Sequence, residues 1–156
     1  MAVAITNRQR SVRIHRGHIA RAAGRALSAV GRPAGDIEVD VVSDPEIRRL
    51  NDRFRGIRRR TDVLAFPLEI PDAPLVGQIV ISADTARRQA GRVGVPLDLE
   101  LELLVTHGVL HLVGYDDRDP VEADLMHHRE RDILAAPHRR VPERLWRGLL
   151  HPGRSR

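Results

Sequence analysis

His107 and His111 stand four residues apart in the run HGVLHLVGYDD, residues 107–117. Residues at i and i+4 of a helix share one face, so two imidazoles at this spacing can reach one point, which is how helices hold zinc. A third ligand from the next turn of the same helix would spoil a tetrahedral arrangement, so the chain must turn back. Gly114 permits the positive φ that ends a helix, and Asp117 arrives three residues later. The pattern is H-x-x-x-H-x-x-G-x-x-D. It has the spacing of the metzincin proteases, with aspartate where histidine is usual. Those enzymes carry a glutamate general base directly after the first histidine. Here that position is Gly108, so peptide hydrolysis lacks its base. Two readings fit the run. One is a metal site with a carboxylate as third ligand; the other is a pair of core histidines with Asp117 capping the next helix. Asp119, directly before Pro120, is the better cap, which leaves Asp117 for a metal.

The elements around this run must hold it still. Residues 97–113 repeat apolar side chains (Leu97, Leu101, Leu104, Val105, Leu112, Val113) and predict a helix that Gly114 ends. A further helix is expected over 121–134. Upstream, residues 2–6 predict a short edge strand, 16–30 a helix stopped by Gly31, and 37–43 a strand. In SDPEIRRLNDRF, Asp44 can cap a helix whose first position is Pro45, with Ile47, Leu50 and Phe54 toward the core. Strands are expected at 62–66, ended by Pro67, and at 77–82, with a proline-containing loop over 68–76 between them. Residues 84–93 predict another helix. Strands and helices mix without a strict βαβ rhythm, which predicts an α+β fold: a small mixed β-sheet covered by helices. We read residues 1–136 as a single domain and 137–156 as a basic C-terminal tail with an apolar patch at Leu145, Trp146, Leu149 and Leu150. Trp146 is expected to pack on the domain.

The 156 residues suffice for one domain with a core. No apolar run approaches a membrane span, no signal-peptide core opens the chain, and cysteine is absent. Disulfides and thiolate metal sites are thereby excluded, and a cytoplasmic location is the default expectation. Arginine supplies every basic residue, a composition bias that says little by itself. Charge location says more. RRLNDRFRGIRRR, residues 48–60, holds seven arginines and one acid, whereas residues 98–132 hold ten acids and three arginines. One segment suits a polyanion and the other a cation, although a basic run can also be no more than a solvated helix face.

HGVLHLVGYDD resembles the HGxLHLxGYDH signature of the YbeY endoribonucleases, a family of rRNA maturation factors. LNDRFRGIRRRTDVLAFPLE is similar to the family's LNxxYRxxxxxTDVLSFP block, GQIVIS to its GDIxIS strand, and LMHHRERDIL to its MxxxExxIL helix. The resemblance runs in order over about residues 36–135. It implies a metal-dependent, single-strand-specific endoribonuclease that matures the 3′ end of small-subunit 16S rRNA and serves ribosome quality control. The implied partners are single-stranded rRNA and the small ribosomal subunit, with no membrane and no DNA. By position, His107 and His111 match the first two zinc ligands, Asp117 stands where the family has its third histidine, and Arg55 matches the arginine of the YR pair. Phe54, Ala65 and Gln78 replace tyrosine, serine and aspartate.

These matches predict one divalent ion, Zn2+ first, held by His107, His111 and Asp117, with a fourth position open to a water of lowered pKa. Iron, manganese and nickel accept the same donors. His127 or His128 is the substitute if Asp117 does not ligate. Arg55 is expected to meet a phosphate oxygen, and Asp116 either to orient a histidine or the water or to serve its own turn. Arg58, Arg59 and Arg60 would guide the RNA backbone without sequence preference. Aromatic residues make up only 3% of the chain, too few for extensive base stacking. The alternatives are a metallohydrolase of another substrate, and a ribosome- or RNA-binding protein of this fold whose catalysis has weakened.

Overall fold

In the computed structural model, which describes residues 2–68, 71–72, 74, 76–136 and 138–149, ten elements follow in order. They are β1 (Ala2–Asn7), α1 (Arg16–Ala29), β2 (Asp36–Val42), α2 (Asp44–Arg55), β3 (Val63–Leu68), β4 (Val76–Ser82), α3 (Ala83–Val93), α4 (Leu97–Leu112), α5 (Pro120–Ala135) and a 3-10 turn, Glu143–Gly148. The strands lie in the order β1-β2-β4-β3. β2 pairs in parallel with β1 on one side and β4 on the other, and β3 runs antiparallel to β4. This is the expected α+β architecture with a mixed sheet.

Side chains alternate across a strand, and that alternation divides the core. Val39, Val41, Ile79, Ile81 and Val63 belong to the main core with α1 and α4. Val42, Leu64 and Val80 point to the other face, where Ile47 of α2 covers them. α4 lies in the middle of the main layer. It is apolar around most of its circumference, as a helix enclosed on all sides must be, and everything from Leu99 to Leu110 is buried. Glycines let it approach the sheet. A Cβ on Gly108 would sit 2.8 Å from Ile79 Cγ2, and one on Gly77 would sit 2.8 Å from the Leu112 methyls. Gly108, noted in the sequence for the base it lacks, is thus the contact point of helix and strand.

Three local expectations are corrected. β3 continues through Pro67 to Leu68; it is an edge strand, where proline's missing N–H removes no needed bond. Ser43, not Asp44, precedes the first turn of α2. The Asp44 carboxylate instead accepts the Ser82 and Thr85 hydroxyls, each at 2.6 Å, and the Arg88 guanidinium at 2.6 Å, tying α2 to α3. Phe54 is 57% exposed. α2 needs only Ile47 and Leu50 to cover its small core, so Phe54 packs edge-to-face on Phe66 at the surface instead. The loop expected over 68–76 falls partly outside the described residues, as does Leu150. Within 138–149, Leu145, Trp146 and Leu149 join the main core. No helix among the described residues is long and apolar enough to cross a membrane.

Candidate metal centre

α4 carries His107 and His111 on one face near its C-terminal end, and Gly114, at φ +103°, turns the chain just beyond it. The turn is closed by backbone bonds from Gly114 N–H to the His111 carbonyl (3.1 Å) and from Tyr115 N–H to the Leu110 carbonyl (3.0 Å). Asp117 is thereby carried back beneath the histidines. Asp119 caps α5, its carboxylate accepting the Glu122 N–H at 3.3 Å. His107 Nε2 lies 2.9 Å from His111 Nε2 and 3.4 Å from Asp117 Oδ2; His111 Nε2 lies 3.8 Å from Asp117 Oδ1. His107 and Asp117 are buried, and His111 is partly open to solvent.

The other ring nitrogens decide what these distances mean. His111 Nδ1 lies 2.9 Å from the Tyr115 carbonyl, which can only accept, so Nδ1 carries the proton. His107 Nδ1 lies 2.6 Å from Glu130 Oε2, an acceptor when ionised. Glu130 is itself buried and accepts the Trp146 indole N–H at 3.1 Å on its other oxygen. In neutral imidazoles with both Nδ1 protonated, both Nε2 atoms present lone pairs. Two lone pairs then face each other at 2.9 Å beside a carboxylate, an arrangement that requires a cation. A proton can fill that role: burial opposes charge on His107, but Glu130 and then Asp117 overturn this and raise its pKa to about 10. His111 is pushed down, first by burial and then by the charge on His107. A divalent metal ion suits the three converging donors equally well, and the two-imidazole, one-carboxylate set fits zinc.

The remaining expected residues are placed as follows. Asp116 accepts the Arg118 backbone N–H at 3.0 Å and the Arg118 guanidinium at 2.8–3.1 Å. Glu130 and the Tyr115 carbonyl orient the histidines, a part the sequence had offered to Asp116. His127 lies against Trp146 and 2.6 Å from Glu143, while His128 lies on the surface against Asp124; neither groups with the triad among the described residues. Arg55 is the exposed last residue of α2, on the opposite face of the sheet from α4, and its side chain makes no ion pair or hydrogen bond among the described residues. Arg58, Arg59 and Arg60 are exposed in the loop before β3, Arg58 lying 3.6 Å from Asp52. Sequence reasoning missed Glu130 and Trp146. The available signal was that a ligating imidazole usually donates its second N–H to a carboxylate, and Glu130 is the glutamate of the MxxxExxIL resemblance.

The family described as Endoribonuclease YbeY matches residues 4–138. The chain belongs to this family. An Endoribonuclease YbeY of Geobacter sulfurreducens is 37% identical over 142 residues, 86% of this chain and 95% of the relative. That of Syntrophus aciditrophicus is 35% identical over 147 residues, 88% and 91% of the two chains. One from an Anaeromyxobacter strain is 42% identical over 112 residues, 70% of this chain, but the match spans only 58% of that relative's length. A Thermotoga maritima protein solved in solution shares the fold with TM-score 0.59 and 25% identity, over 92% of this chain and 89% of that one. The YbeY match includes α4, the Gly114 turn and α5, all the elements that assemble the triad.

Proposed function

We propose that this YbeY-family chain is a metal-dependent endoribonuclease that cuts single-stranded rRNA. Its expected setting is 3′ end maturation of 16S rRNA and ribosome quality control, with the small ribosomal subunit as partner. The observation that carries the reading is the convergence of two Nε2 atoms and a buried carboxylate on one point.

His107, His111 and Asp117 would hold the ion, which when bound supplies Lewis acidity and a water of lowered pKa. Asp117 brings negative charge where the family signature has an imidazole; it makes the ion a weaker Lewis acid and widens the choice of metal to iron, manganese and nickel. Glu130 and the Tyr115 carbonyl take up the two Nδ1 positions and so aim both Nε2 atoms inward, where the ion would replace the proton of His107. Trp146 keeps Glu130 in place. His111 is the more open of the two histidines, so substrate reaches the centre from its side. Arg55, whose side chain makes no ion pair or hydrogen bond among the described residues, offers its guanidinium to a phosphate oxygen. Arg58, Arg59 and Arg60 add non-specific backbone contacts that weaken as salt rises.

The test is cleavage of a single-stranded RNA and of its duplex by the purified chain. We expect cutting of the single strand only, lost on chelation, restored by zinc and reduced in Arg55→Ala. RNA binding without cleavage under any divalent metal would favour the binding-protein alternative.

A further inference from the structure

A second group with the same donors lies at the other end of α4. His15 occupies the position before the first turn of α1, with extended backbone (φ −110°, ψ 100°), and its side chain does not cap the helix. His18 follows in the first turn. Asp98 sits in the first turn of α4. His15 Nδ1 lies 3.1 and 3.2 Å from the two Asp98 oxygens, and His18 Nε2 lies 3.8 Å from Asp98 Oδ2. One donor atom from each residue falls within 4.8 Å of the others.

We propose that His15, His18 and Asp98 form a second, solvent-facing site for a divalent cation of the zinc class. Tetrahedral zinc with bonds of about 2.0–2.1 Å sets its donors about 3.3 Å apart. The His15–Asp98 pair already has that spacing. His18 needs only a small side-chain adjustment, and its side chain is 44% exposed. Neither imidazole has another side-chain hydrogen bond among the described residues, so no competing partner must be broken. Solvent supplies the remaining positions. Binding here is weaker than at the buried triad for two reasons. The Asp98 carboxylate holds a proton on His15 Nδ1 that must leave before this nitrogen can ligate, and the positive ends of α1 and α4 both face the site. A bound ion joins the start of α1 to the start of α4. The inference does not rest on RNA cleavage or on the buried triad.

Titration of the metal-free protein with Zn2+ against a chromophoric chelator tests it, using the parent, His18→Ala and Asp98→Asn. Both substituted positions lie outside the core, so the variants fold. The parent is expected to take up one equivalent more than either variant, at the weaker of its affinities. If the buried triad takes no zinc, every total falls by one and the difference remains. Equal stoichiometry and affinity in all three proteins would overturn the proposal.

Discussion

His107, His111 and Asp117 converge inside the fold, whereas His15, His18 and Asp98 converge at its surface, and both groups draw on α4. The donors are identical and their spacing is similar. What differs is the surroundings. At the inner triad each Nδ1 already has an acceptor, so each Nε2 is aimed at the shared point before any ion arrives, and an ion has only to displace the proton that His107 carries there. At the outer triad His15 turns Nδ1 itself toward Asp98, whose carboxylate keeps the proton on the very nitrogen that would ligate. Donor identity alone therefore does not set affinity. Preorganisation by a second layer of partners does, and only the inner triad has that layer.

Breaking the inner triad carries the largest expected effect. Asp117→Ala and His111→Ala should bring RNA cleavage to background, whereas His18→Ala should leave it unchanged. The pair of results separates the two groups in one assay. Glu130→Gln comes next. It keeps the shape and removes the charge facing His107 Nδ1, and we expect metal affinity at the inner triad to fall about 10- to 100-fold, read by competition with a chelator.

Between the two triads α4 carries Glu100, fully buried, with neither oxygen hydrogen-bonded among the described residues. Burial, aided by Asp62, raises its pKa to about 8 from an ordinary 4.5. An acid whose folded pKa is raised costs nothing below its unfolded value. The cost appears as pH rises past about 4.5 and levels off above about 8. Glu100→Gln should therefore gain stability over the parent progressively between pH 5 and 8, on the order of a few kcal/mol, measured by denaturant unfolding across that range. Gly108→Ala should destabilise by about 1–3 kcal/mol, because the new methyl meets the branched Ile79 side chain at the helix–strand contact. A smaller loss would mean that α4 can lift from the sheet, and with it the inner triad.

How much of this could be read from the sequence depended on distance along the chain. The H-x-x-x-H-x-x-G-x-x-D spacing is local: one helix turn and one glycine bring all three residues together, so periodicity and turn chemistry suffice. The Asp119 cap was legible for the same reason. Glu130 reaches His107 from α5 and Trp146 reaches Glu130 from the terminal 3-10 turn, and no local pattern records those contacts. Phe54 followed helical period yet lies exposed, because the core beneath α2 is too small to need it. Pro67 looked like a strand end because strand position at the sheet edge is a tertiary property. The outer triad joins residues 15 and 98 through the packing of α1 on α4, which the sequence does not display.

The central claim is that the inner triad holds a tightly bound divalent ion, and elemental analysis after extensive chelator dialysis tests it most directly. Dialysis strips the weaker outer site, so the parent should retain one equivalent of metal and Asp117→Ala none. Equal metal in both proteins would move the third ligand away from Asp117. No metal in the parent, even after growth with added zinc, would contradict the account.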